Sequence, residues 1–300
     1  MMTSKSPNAV AHVAYLTAQR SLPPYLHLTS PKKFTQHQLV TCLVLKEFFT
    51  TDYRGIVEIL ADSHDLKEIL ELREVPHYTT LQKAAHRLTK KDVLEKLIKE
   101  ILLIAIKAKI MKKSVHLSAI DGTGFESHHV SAYFVKRKAK GEERYQMTTY
   151  TRYPKVGIVV DSDTHLVLSG VPERGPYPDV VHFEKALVLA EKNVHSKILV
   201  ADAGYDSEKS HTFAREEYNI RTIIPPKIGR RTSKLPTGKW RKIMATRFNK
   251  LLYGQRWQVE TVNSMIKRNL GSSLRARSYW SQCREMMLRL FVHNVMIVYR

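Results

Sequence analysis

The chain has 300 residues, 43% of them hydrophobic, which is enough to bury a core and to form two domains or one domain with a large appendage. Its net charge of +21, from 49 Lys and Arg against 28 Asp and Glu, attracts polyanions, so nucleic acid is the first partner to consider and an anionic membrane surface the second. Cys42 and Cys283 lie far apart with no CxxC or Cys/His ligand spacing, which argues for a reducing compartment and against zinc; the most apolar run, Ile101–Ile110, carries two lysines and is about half the length that a membrane span needs.

Residues 1–112 are predicted to be helical. Apolar residues recur at three- and four-residue spacing from Thr35 to Phe49 and from Tyr53 to Leu72, with Pro31 and Pro76 as punctuation. After Pro76, HYTTLQKAAHRL offers Thr79 or Thr80 as the N-cap of a short basic helix. Two short helices with a turn between them suit either a helix-turn-helix that docks on DNA or a bundle that only packs.

From Ser114 the texture becomes β. SVHLSAIDGTG is a strand ending in a turn at Gly122–Gly124, and KVGIVVDSDTHLVLSGV is two strands joined by a tight turn containing Asp161 and Asp163. There follow an amphipathic helix from about Asp179 to Asn193, a buried strand SKILVAD, a helix from about Ser207 to Tyr218 with Asp206 as its cap, and a strand IRTIIP. The order β-β-β-α-β-α-β-α is that of a ribonuclease H-like domain. The predicted fold class is therefore α/β, a mixed five-stranded sheet flanked by helices over residues 113–300, preceded by the all-helical region. Within it, residues 226–246 form a basic loop rich in Gly, Pro, Arg and Lys, and a long helix runs from there to about Asn269.

Three acids stand out by placement. Asp121 and Asp202 each follow an apolar strand directly, at the sheet edge where ligands collect. A carboxylate there costs stability unless compensated, and a divalent metal is one such partner, although a lone loop-starting Asp more often caps a turn. The third is Glu260. It is the single carboxylate among the 67 residues from Tyr218 to Arg284, which contain sixteen Lys and Arg. On a helix, Tyr253, Arg256, Glu260 and Lys267 fall within an arc of roughly 60°, opposite a core-facing stripe of Leu251, Leu252, Val259, Val262, Met265 and Ile266.

The residues YGQRWQVETVNSMIK reproduce the Y-x(2)-R-x(3)-E-x(6)-K signature of insertion-sequence transposases, and DGTGF and LVADAGYDSE resemble that family's first and second Asp motifs. The spacing, 81 residues from Asp121 to Asp202 and 58 from there to Glu260, is similar too. The resemblance covers about Val115 to Lys267. It implies a catalytic triad of Asp121, Asp202 and Glu260 that holds two Mg²⁺, with Mn²⁺ able to substitute, and DNA contacts from Tyr253, Arg256, Lys267 and the adjacent Arg268. It also implies end cleavage followed by transfer of the 3′-OH into target DNA, a homodimer on transposon ends and target, no membrane role, and a cytoplasmic, nucleoid-associated protein. The alternatives are a metal-dependent nuclease of the same fold and a catalytically silent DNA-binding derivative. Gly122–Gly124 lacks the spacing and Lys of a phosphate loop, and His128 and His129 lack partners at ligand spacing, so they are expected at the surface or near DNA.

Overall fold

Six helices open the chain: α1 (Pro7–Ser21), α2 (Gln36–Phe48), α3 (Tyr53–Asp62), α4 (His64–Ile69), α5 (Tyr78–Leu88) and α6 (Lys91–Lys107). The computed structural model describes residues 3–26, 32–129, 132–137, 146–227 and 234–299; Pro31 and residues 228–233 of the basic segment lie outside that set. Helix α2 starts at a capping box, with Thr35 Oγ1 accepting from Gln38 N at 3.2 Å and Gln38 Oε1 accepting from Thr35 N at 2.8 Å. Helix α5 begins ahead of the expected caps. Its N-cap is His77, which uses no side-chain cap, and the Thr79 hydroxyl instead meets His77 Nδ1 at 2.8 Å. Its outer face, Gln82, Lys83, His86 and Arg87, is exposed.

The rest of the chain runs β1 (Ser114–Gly124), β2 (Glu126–Ser127), β3 (Ala132–Arg137), β4 (Gln146–Thr151), β5 (Tyr153–Asp161), β6 (Val167–Gly175), α7 (Phe183–Glu191), β7 (His195–Ala201), α8 (Glu208–Thr212), β8 (Arg221–Ile223), α9 (Lys239–Thr246), α10 (Lys250–Tyr253), α11 (Trp257–Leu270), β9 (Ser273–Leu274) and α12 (Tyr279–Val298). The main sheet has the order β6-β5-β1-β7-β8, with β5 antiparallel to both neighbours and β7 and β8 parallel to β1. This mixed five-stranded sheet is a ribonuclease H-like sheet, as expected. The β5–β6 turn is closed by Asp161, which accepts from the Thr164 hydroxyl at 2.5 Å and from Asp163 N at 3.2 Å.

Three local expectations are corrected. Gly122–Gly124 do not turn but continue β1, paired with Gly157, Val156 and Lys155 of β5. The second half of the expected basic loop is helix α9. Its first N–H groups find an acceptor far upstream: Glu208 accepts from Trp240 N at 2.9 Å and Arg241 N at 3.0 Å. Gly238, at φ +98, leads into it where any Cβ would strike the Glu208 carboxylate. The expected long helix is divided into α10, a 3-10 turn at Gly254–Arg256 and α11. Leu251 consequently faces solvent with 87% exposure, whereas Val259, Val262, Met265 and Ile266 are buried as expected.

Helix α7 packs on β5, β6 and β7; α11 packs on β1 and β5, and α12 on β5 and β6. Helix α12 also packs on α1, α2 and α6, so one apolar cluster runs from Val10 and Leu43 through Ile120 and Val200 to Phe291 and Val295. Among the described residues no helix is long and apolar enough to cross a membrane.

Within α12, His293 is fully buried, and its Nε2 donates to the His165 carbonyl at 3.0 Å. Burial pushes its pKa down to about 4. Between the unfolded value near 6.5 and about 4, the unfolded chain takes up a proton that the folded chain refuses. Stability should therefore be unaffected by this group above about pH 6.5 and fall as pH drops, by about 3 kcal/mol at full effect. Melts from pH 7 to about 4 should show the decline, with a shallower slope in His293→Gln.

Candidate functional site

Two neighbouring strands build the centre. β1 and β7 run parallel with Ile120 opposite Ala201, so the next residues along each, Asp121 and Asp202, lie side by side, one strand spacing of about 4.8 Å apart across the sheet. Asp202 begins the loop after β7 and accepts from Gly204 N at 2.8 Å. Asp121 stands within β1, three residues before its end, rather than just past the strand. Among the described residues neither carboxylate forms an ion pair. Burial, with the charges of Asp202 and Asp179 adding to it, pushes Asp121 up to about 6.

Helix α11 crosses above β1 and brings Asn263 to Asp121, where Nδ2 donates to Oδ2 at 3.2 Å. The other arm of that amide, Oδ1, is buried without a partner among the described residues, an arrangement that costs about 1–3 kcal/mol unless something else meets it. Glu260, one turn earlier, is 52% exposed and pairs with Arg256 at 2.6 Å. In this structure its carboxylate faces that guanidinium. Tyr253 packs against Phe248 with the rings tilted by 59° and their centroids 5.0 Å apart. The Lys267 ammonium lies 5.7 Å from the centre of the Phe125 ring, and Arg268 is exposed. Arg256 and Glu260 are therefore brought together, while Tyr253 lies outside α11, before the 3-10 turn.

Behind the carboxylates is a polar layer that the sequence did not reveal. Lys155, buried on β5, forms a close pair with Asp179. The pair sits against Gly122, where a Cβ would lie 2.4 Å from Asp179 Oδ1 and 2.7 Å from Lys155 Cε. Tyr205, buried in the turn after Asp202, shares a hydrogen bond of 2.7 Å with His182 Nε2, and His182 Nδ1 reaches Glu173 at 3.2 Å. Burial and then the charges of Asp179, Asp121 and Asp202 raise the Tyr205 hydroxyl well above its ordinary range. Asp206 does not cap α8, whose N-cap is Ser207. Its side chain is buried and receives Arg241 of α9 through two nitrogens, at 2.7 Å for Nη2 and 2.9 Å for Nε. A signal existed for Asn263, because it is the one polar residue in the buried run Val259, Val262, Met265, Ile266. None existed for Asp179 or Lys155, whose pairing depends on the sheet.

Three cavities of about 420, 490 and 420 Å³ follow one another by shared lining residues, the first lined by Gly124 and Lys267, the second by His128, His129, Arg275 and Arg277, and the third by Arg275, Arg277, His86 and Arg284, and together they outline a trough. His128, His129, Arg275 and Arg277 are exposed along this trough. It begins three residues from Asp121 and ends against α2 and α5.

The family model described as a transposase DDE domain matches residues 116–295, well over half of the chain and the whole of the sheet beyond the first residues of β1. The chain belongs to the transposase DDE domain family. No curated protein matches it. Among solved structures, a piggyBac transposase synaptic complex with hairpin DNA is similar at 10% identity over 97% of this chain and 71% of that one, with a TM-score of 0.48. A Mos1 transposase paired-end complex with a left transposon end is similar at 10% identity over 83% and 82%, with a TM-score of 0.24, and a Mos1 mariner paired-end complex with Mn at 10% over 95% and 86%, with a TM-score of 0.23. The chain is a transposase, an enzyme of DNA cleavage and strand transfer, and enzymes of this family use divalent metal ions.

The residues of the transposase suit such an ion in part. Adjacent carboxylates that form no ion pair among the described residues, and an amide oxygen without a donor beside them, are a hard-oxygen set of the kind that divalent cations take. Among the described residues no three His, Cys, Asp or Glu are gathered into a metal-sized group, and Glu260 is turned to Arg256.

Proposed function

We propose that this transposase cuts transposon DNA ends and joins the freed 3′-OH to target DNA, with Asp121, Asp202 and Glu260 holding two Mg²⁺ that Mn²⁺ can replace. The observation that carries this reading is the placement of Asp121 and Asp202 on adjacent parallel strands, each one step past the Ile120–Ala201 pair, with neither carboxylate in an ion pair among the described residues. Divalent ions held there would lower the pKa of an attacking water or 3′-hydroxyl and offset the charge that develops on the departing 3′-oxygen. The part of the chain itself is to hold and orient. Asp121 is fixed by Asn263, and Asp202 by the backbone of Gly204. Glu260 is to swing from Arg256 toward the two aspartates when the charge there becomes positive, leaving Arg256 free for a phosphate.

Arg256, Lys267 and Arg268 are proposed to grip phosphates near the cut, and Tyr253 to stack on a base. Residues 234–246, the cavities lined by Arg275 and Arg277, and the exposed face of α5 extend the basic surface, the last as the helix that reads the transposon terminus. Two copies, one on each end, would make a homodimer on DNA.

A duplex carrying a 3′-end-labelled transposon terminus, incubated with a target plasmid and Mg²⁺, tests the reading. Joined product supports it, nicks alone indicate a nuclease, and a shifted band without cleavage indicates a silent DNA-binding protein. Binding should also be strongly salt-dependent, because the chain carries a net charge of +21. Neutralising roughly six to ten phosphates should weaken it on the order of 10³-fold or more between about 50 and 200 mM salt. A flat titration would remove the electrostatic basis of the proposed DNA surface.

A further inference from the structure

Asn263 occupies a position where chemistry other than packing is the simplest reason for an amide. It is 7% exposed, and Val259, Val262 and Ile266 around it on α11 are buried and apolar. An apolar side chain there would continue the helix's contact with the sheet. The amide instead leaves Oδ1 buried with no donor among the described residues, while Nδ2 donates to Asp121 Oδ2 at 3.2 Å. The orientation is forced, because exchanging the two amide atoms would set an acceptor against a carboxylate. Arg256, Glu260, Asn263 and Lys267 also follow one another at four-, three- and four-residue spacing, so Asn263 lies on the same helical stripe as the signature residues.

We infer that Asn263 is a positioning residue for the cation carboxylates: Nδ2 fixes Asp121, and Oδ1 accepts from water in the cation's hydration shell. The inference rests on the reading of Asp121 and Asp202 as metal carboxylates. Side chains that orient such ligands typically change metal affinity by about 10–100-fold when removed, whereas a residue that only packs changes stability alone.

The test is a titration of the full-length chain with Mn²⁺, followed by the electron paramagnetic resonance signal of free Mn²⁺, together with a thermal melt of each preparation. Asn263→Leu removes both amide arms and should raise the Mn²⁺ dissociation constant by about tenfold or more while melting no lower than the parent. Asn263→Gln keeps both the donor and the acceptor arm and should bind within a few-fold of the parent, with its melting temperature rising on adding Mn²⁺ as the parent's does. Asp121→Asn, as the control, should lose most of the binding. If Asp121→Asn loses it but Asn263→Leu stays within about twofold of the parent, Asn263 only packs and the inference fails while the metal reading stands. Should the loss in Asn263→Leu prove inseparable from misfolding, the second variant decides: tenfold weaker Mn²⁺ binding by folded Asn263→Gln overturns the role of the amide. If Asp121→Asn binds like the parent, the metal reading fails and takes this inference with it.

Discussion

Asp121→Asn should abolish strand cleavage, by about 10³-fold or more, in a protein that is as stable as the parent or more so. The carboxylate is buried and raised to about 6 by desolvation and by the neighbouring Asp202 and Asp179. At neutral pH its charge is therefore a cost to the folded chain, and an Asn of the same shape relieves it. Asp202→Asn should lose cleavage equally, since an amide oxygen can still accept from Gly204 N but cannot supply the charge. DNA binding should persist in both variants, because each makes the surface more positive. Cleavage kinetics, a filter-binding titration and a melt on the same preparations check all three points. A variant that cuts at near-parental rate would reduce that Asp to a turn or strand residue.

Glu260→Gln sets two explanations of one ion pair against each other. In this structure Glu260 neutralises Arg256 at 2.6 Å, with the carboxylate 52% exposed and the guanidinium 24% exposed. If that is its whole role, the substitution costs at most about 0.5 kcal/mol of stability and cleavage survives. If Glu260 leaves Arg256 to join Asp121 and Asp202, cleavage falls by several orders of magnitude with the same small stability change. Arg256→Ala and Lys267→Ala should differ in kind, weakening DNA binding and reducing the salt slope by about one unit each. An active, slightly destabilised Glu260→Gln would sink the assignment of Glu260 to the metal.

Much of this is legible in the sequence, for a physical reason. Apolar runs that end in a single acid announce a strand and its C-terminal edge, so Asp121 and Asp202 can be chosen from VHLSAID and KILVAD alone. Glu260 is legible because a lone acid in a basic stretch is a statistical outlier. What is not legible depends on partners distant in the chain. Helix α9 reads as loop because its capping acceptor, Glu208, lies about thirty residues upstream, and Asp206 reads as a cap because its partner Arg241 lies as far downstream. Leu251 is a core residue only on a continuous helix, and the 3-10 turn at Gly254–Arg256 rotates α10 away from that face. The Lys155–Asp179 pair needs the sheet to exist before it can be seen.

Helix α12 is shared between the amino-terminal helices and the sheet, its buried residues from Met286 to Val298 meeting α1, α2 and α6 on one side and β5 and β6 on the other. That sharing limits how such enzymes can be recombined. A chimera joined near residue 112, with helices borrowed from a relative that reads different ends, would pair foreign surfaces with a helix shaped for the native ones, leaving voids or clashes in a close-packed interior. On the proposed reading, in which α5 reads the transposon terminus, exchange of end specificity should thus proceed through substitutions on its exposed face, or through transfer of the helices together with α12, and seldom by swapping the amino-terminal segment alone.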